Sequence, residues 1–254
     1  MLTKIEVQKE FDEKELFERL RNVKLKGFPN VKIYANSALR VEQATSERIM
    51  GEIFTPQPRV YRDYLDRINK MAELFQEKGI DIFRLNGGVD YTAFDEKDEA
   101  TNWTIIPPVV EVLSIFFGRG LDYQPAIGSD LEKSMAQSGS KLNPELEELS
   151  FKEYPKVLGY HQVPIICDGS HRVHSQVEQG KSQNLLFVYS PELGYPYYAA
   201  PKPYSLVHVE PTRIDGSKSD KVHVLTEPGH KLLYRLFPTG GILSGEVRPD
   251  VVKK

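Results

Sequence analysis

The chain is predicted to adopt a mixed fold, α/β or α+β, and three observations say so. Compact apolar runs of strand length, such as VPIIC (163–167) and LLFVY (185–189), alternate with helical stretches. Residues 61–78 carry one apolar stripe at helical spacing. Between them lie segments of scattered glycine and proline with weak periodicity, which mark irregular additions to the core.

Composition sets the frame. The chain has 254 residues, 40% hydrophobic and 10% aromatic, enough for a sizeable core. Net charge is −3 and the isoelectric point is near 6.1. No global basic field recruits nucleic acid, so such binding would need a local patch. The single cysteine, Cys167, excludes intramolecular disulfides and fits a reducing compartment. The first twenty residues are charged throughout, and the longest apolar run, IIPPVVEVL, is far shorter than a membrane span. A cytoplasmic protein with no membrane partner is expected.

Taken in order, residues 13–25 read as a helix, with Leu16, Leu20 and Val23 on one face. VKIYA (31–35) reads as a strand after the turn residues Gly27, Pro29 and Asn30. Pro56-Gln57-Pro58-Arg59 then breaks the chain. The helix over 61–78 follows, its stripe made of Tyr61, Tyr64, Leu65, Ile68, Met71, Ala72 and Phe75, with Gly79 in the place of a C-terminal cap. IDIF (80–83) and TIIPPVVEVL (104–113) read as strands, the second with an edge position or bulge at its double proline. Residues 114–157 read as an insertion with one or two short helices. VPIIC is a buried strand, HRVHSQVEQG a short helix stopped by Gly180, and LLFVY a further strand. LVHV (206–209) and KVHVL (221–225) are two more strands before a glycine-rich tail.

The chemistry concentrates at Asp168-Gly169-Ser170-His171-Arg172. A buried strand delivers the chain to a turn and a helix leaves it. Glycine permits close approach to a ligand. The first helical N–H groups lack intrahelical partners and, with the helix dipole, form an anion site. Ser170 adds a hydroxyl, and Arg172 a forked cation suited to phosphate. Asp168 is placed to hold a metal or accept a proton, and His171 to donate to phosphate or shuttle a proton. The competing reading is a strand-to-helix turn in which Asp168 or Ser170 is only an N-cap.

Strand–DGSHR–helix–Gly resembles the core motif of the ParB/sulfiredoxin-like superfamily. TPQPRVYRDYLDRINKMAELFQEKGI is similar to that superfamily's Pro-Arg turn, helix and glycine, and IIPPVVEVL to its double-proline strand. The resemblance covers residues 50–113 and 158–190. It implies an α+β fold, a mixed sheet with helices, organised as an N-terminal extension (1–49), a core (50–200) with the insertion at 114–157, and a C-terminal addition (201–254). Members include sulfiredoxins, free-serine kinases, DNA-partitioning CTPases and nuclease-like proteins, and they bind nucleotides at this motif. The resemblance implies that Gly169, Ser170, His171 and Arg172 contact the phosphates, with Arg59 reaching the same group. It makes Asp168 and His171 the catalytic candidates and Asp168 the candidate metal ligand. Ser170 occupies the place of the sulfiredoxins' reactive cysteine, which excludes sulfinic-acid chemistry by that route. Cys167 is no substitute, since it ends a buried strand.

The expected function is therefore a nucleotide-dependent phosphotransferase or nucleotide hydrolase. It would use a nucleoside di- or triphosphate, ATP first among them, with Mg²⁺ and a small-molecule or protein acceptor. The alternative is a nucleotide-gated DNA-binding or regulatory module, or a ParB-like nuclease. No helix-turn-helix follows the core and the charge is negative, so nucleic acid is not favoured. His171, His174 and Glu178 share one helix side at metal-ligand spacing, though a solvated face explains them as well. His208 and His223 lie in strand-like runs and read as structural. YPYYAAPKPYS (195–205) could stack a base or pack as an irregular loop. P-loop and dinucleotide-fold glycine motifs are absent.

Overall fold

The computed structural model describes residues 2–25, 28–32, 34–55, 59–117, 159–189, 202–211 and 235–236. They form an α+β fold with a mixed six-stranded sheet at its centre. The predicted body of the insertion, the strand at 221–225 and the glycine-rich tail lie outside the described residues.

β1 (Leu2–Phe11) opens the chain and α1 (Glu13–Leu20) follows directly. Asp12 caps α1, its carboxylate accepting the Glu15 N–H at 2.9 Å. The helix stops at Leu20, five residues short of the expected end, yet Leu16, Leu20 and Val23 are all buried. β2 (Lys24–Leu25) and β3 (Phe28–Lys32) come next. The strand expected at 31–35 is thus shifted toward the N-terminus, and the backbone turns at Tyr34–Asn36.

β4 (Ala38–Ala44), α2 (Ser46–Glu52), β5 (Phe54–Thr55) and β6 (Arg59–Tyr61) lead to α3 (Arg62–Gln76). Tyr64, Leu65, Ile68, Met71, Leu74 and Phe75 are its buried face. Gly79 adopts φ +77°, and the bonds Ile80 N–H to Phe75 C=O (3.0 Å) and Gly79 N–H to Gln76 C=O (2.9 Å) close a Schellman motif. IDIF is not a strand. The Asp81 carboxylate accepts the Phe83 N–H at 2.9 Å and its carbonyl accepts the Arg84 N–H at 3.0 Å, so the segment turns. Ile80 and Ile82 are buried nonetheless, which is why their spacing mimics a strand.

β7 (Gly88–Asp95) and β8 (Ala100–Ile105) form a three-stranded antiparallel sheet with β1, in the order β1-β7-β8. α3 covers it through Ile68, Met71 and Phe75 packed on Ile5, Val89 and Tyr91. The run 104–113 is two strands rather than one bulged strand. Pro107 and Pro108 cannot donate to a ladder, and there the chain leaves β8 and enters β9 (Val109–Phe117).

β10 (Gly159–Asp168), α4 (Ser170–Glu178) and β11 (Gln183–Tyr189) follow, then β12 (Lys202–Pro203), a 3₁₀ turn (Tyr204–Leu206), β13 (His208–Glu210) and β14 (Arg235–Leu236). The central sheet runs β12-β5-β10-β9-β11-β4. β10 is parallel to β5 and antiparallel to β9, and β11 is parallel to β9 and antiparallel to β4. One face packs Val110, Ile166, Leu185 and Phe187 against Ile49 of α2, Val173 of α4 and Tyr204. The other packs Val109, Leu186 and Val188 against Leu16 and Leu20 of α1. β2, β3 and β14 form a small separate sheet, and β6 pairs with β13 in parallel. No described helix is long and apolar enough to cross a membrane.

Candidate functional site

β10 delivers Asp168 to the rim of the central sheet through a β-bulge between Ile166 and Asp168. Gly169 then turns the chain at φ +81°, ψ +19° and serves as the N-cap of α4. Two facts fix glycine here. The left-handed conformation disfavours any side chain, and a Cβ would stand 2.8 Å from Pro108 Cβ. The N-cap position falls on Gly169 rather than on Asp168 or Ser170, and a glycine has no side chain with which to cap the helix. The first amides of α4 have no partner within the helix, the condition for an anion to sit there.

The side chains of the motif have separate roles. Arg172 is 1% exposed. Its Nη1 donates to the Ile106 carbonyl at 2.5 Å, and Nη2 lies 3.8 Å from Asp168 Oδ2. The guanidinium thus braces the turn from inside, tying α4 to the double-proline break. His171 accepts the Tyr61 backbone N–H on Nε2 at 3.2 Å and stacks on Tyr64 with centroids 5.0 Å apart. This bond assigns the neutral ring proton to Nδ1. Ser170 is half-buried, and its carbonyl accepts the Tyr204 hydroxyl at 3.2 Å.

Arg59 reaches the same end of the molecule through β6, since Tyr61 of that strand is the residue bonded to His171. It is 55% exposed and pairs with Glu210 Oε1 at 3.4 Å, the same oxygen that lies 3.6 Å from His208 Nε2. His208 belongs to β13, as its strand-like context implied.

The helical trio divides. Glu178 is held by Arg62 through contacts of 2.9 and 3.2 Å, and the hydrogen bond from Arg62 lowers its pKa. His174 is buried, which lowers its pKa. Among the described residues no three His, Cys, Asp or Glu side chains converge as a metal site. Of the tyrosines weighed as a base platform, Tyr204 is core: it is 1% exposed and packs beneath α4. Tyr195, Tyr197 and Tyr198 lie outside the described residues.

Sequence reasoning passed over Lys202. It is 9% exposed, on β12 opposite Thr55. Its flanking prolines in Pro201-Lys202-Pro203 were the available signal, because they confine the lysine to a short edge strand.

With this geometry in hand, comparison with known families gives one finding. Residues 15–118 match the family model of the ParB CE domain. The match runs from α1 through β9 and supports a ParB-like family, stopping short of the DGSHR turn. Neither the curated proteins nor the solved structures include a match.

Proposed function

We propose that this ParB-like chain binds a nucleoside di- or triphosphate at the N-terminus of α4 and turns it over by phosphoryl transfer or hydrolysis. One observation carries the reading: α4 begins behind a left-handed glycine with no side-chain cap. The amides after Gly169 take the phosphate oxygens. His171 adds Nδ1–H as a donor, because its other nitrogen is held by Tyr61. Ser170 offers a hydroxyl, and Arg59 supplies an exposed cation at the edge of the site. Arg172 is a positioning residue that fixes the turn rather than a phosphate ligand.

The turn suits a phosphate better than a protein-bound Mg²⁺. Asp168 already faces a guanidinium at 3.8 Å, so a dication there would meet a fixed positive charge. Phosphoryl transfer rests mainly on positioning and charge stabilisation, which the helix end and Arg59 provide.

A second reading has its own support. Asp168 and His171 are both engaged in internal contacts, which suits a nucleotide-gated regulatory module as well as an enzyme. A thermal-shift panel of ATP, ADP, CTP and GTP, with and without Mg²⁺, tests binding. At a hundredfold excess over its dissociation constant a ligand adds about 2.7 kcal/mol to apparent stability. Phosphate release without DNA supports the enzyme, and release or retention that depends on DNA supports the module. No shift with any nucleotide overturns both.

A further inference from the structure

We infer that His174 is a pH-sensitive latch between α3 and α4: a neutral ring leaves Glu178 to bridge to Arg62 of α3, and a protonated ring draws Glu178 back to its own helix. The latch needs no ligand at the Gly169 turn.

The bridge comes first. Arg62, the first residue of α3, donates to Glu178, the last of α4, at 2.9 and 3.2 Å. Both side chains are nearly half exposed, so the bridge holds by little. Each partner has an alternative within its own helix. His174 lies four residues before Glu178, and Asp66 four after Arg62, the spacing at which helical side chains meet. The hydrogen bond to Glu178 is the main support of the Arg62 charge, and Asp66 adds to it. One pair between the helices can therefore exchange for two pairs within them.

His174 decides the exchange. Its ring is buried, and Nδ1 has no hydrogen-bond partner among the described residues. A neutral imidazole tolerates that position. A protonated one carries a donor on each nitrogen and a charge that needs a partner. Burial lowers the pKa of His174, Glu178 raises it, and Arg62 and His171 lower it. The proton therefore arrives below the ordinary 6.5, and the latch is shut at neutral pH. The other groups around the ring are already engaged. The 3₁₀ turn presents Tyr204, with ring centroids 6.3 Å apart, and its hydroxyl donates to the Ser170 carbonyl. On α2, Arg48 pairs with Glu42 and Glu52, and Glu47 bonds to its own amide and to Thr45. Arg59 of β6 pairs with Glu210, and Asp168 of β10 faces Arg172. Glu178 is the carboxylate whose charge acts on the ring.

Opening the latch acts beside the DGSHR turn. Arg62 follows Tyr61, whose backbone N–H is held by His171 Nε2 at 3.2 Å. Without the bridge, the start of α3 keeps this bond and the stacking of Tyr64 on His171, while Ser175 still donates to Asn69 further along at 2.8 Å. The first turn of α3 loosens and the rest of the helix stays.

The test follows the His174 ring by NMR across pH in the full chain. Glu178→Gln should lower its titration point and Arg62→Gln should raise it. Both positions are nearly half exposed, so both variants keep the fold. A titration point that neither variant moves overturns the latch. Native-state hydrogen exchange reads the consequence. From about pH 7.5 to about pH 5.5, protection of the first turn of α3, corrected for intrinsic rates, should fall about two- to fivefold in wild type, as losing one exposed ion pair allows. It should hold in His174→Gln. Equal loss in both, or none in wild type, places the opening elsewhere and overturns the inference. If His174→Gln does not fold, Arg62→Gln takes its place: with the bridge already absent, acid should cost it no further protection, and a fall equal to that of wild type overturns the latch.

Discussion

Replacing Arg172 should act on this protein's stability rather than directly on its ligand. The guanidinium is 1% exposed, donates to the Ile106 carbonyl at 2.5 Å and lies 3.8 Å from the Asp168 carboxylate. Arg172→Ala removes the charged donor from a buried carbonyl, a loss of about 1.5–3 kcal/mol. It also leaves the Asp168 carboxylate, only 12% exposed, without its cation, and breaking such a pair costs about 3–5 kcal/mol in all. These effects overlap, so the expected loss is about 3–5 kcal/mol rather than their sum. That is a large part of a domain's typical 5–15 kcal/mol. Urea unfolding of the purified variant measures it. A double-mutant cycle with Asp168→Asn separates the pair from the packing. The double variant should be more stable than the two single losses predict, because no uncompensated carboxylate remains. A loss under about 1 kcal/mol, together with weaker nucleotide binding, would refute the bracing role and return Arg172 to the ligand.

Three further outcomes are expected. Gly169→Ala should destabilise by about 1–3 kcal/mol, because its φ is +81° and a Cβ meets Pro108 at 2.8 Å; Gly180→Ala, at φ +65° with open space around it, should lose less, and urea midpoints compare them. Burial lowers the pKa of His174 below the ordinary 6.5, so the unfolded chain binds its proton first and stability falls as pH drops through 6.5 toward the folded value. Urea midpoints at about pH 7.5 and about pH 5.5 should differ less in His174→Gln than in wild type, and an unchanged difference would place the titration elsewhere. Arg59→Ala should weaken nucleotide binding by titration while shifting stability by no more than about 0.5 kcal/mol, since the side chain is 55% exposed and its pairing with Glu210 is a surface one.

Some of this architecture was legible in the sequence because it is set within a few residues. The apolar stripe of α3 and the glycine stops at Gly79 and Gly180 depend only on helical spacing and on the left-handed freedom of glycine. The strand–glycine–helix of the DGSHR turn was legible for the same reason. Local pattern misled where two structures share one spacing. Ile80 and Ile82 are both buried, but Asp81 turns the segment into a loop. β1 and β7 were missed, since β1 alternates charge with few apolar residues and owes its place to pairing with β7, from Phe11 beside Gly88 to Leu2 beside Asp95, far along the chain.

The identity of the turn's residues was determined by the sequence, and their roles were decided by tertiary structure. Arg172 faces inward because a proline-flanked carbonyl 66 positions away needs a donor. His171 loses its Nε2 lone pair to a backbone amide 110 positions away. Lys202 is buried because an edge strand pairs it with Thr55, far back in the chain. Residue type sets what a side chain can do, and only the contacts of the folded chain decide which of its atoms remain available to do it.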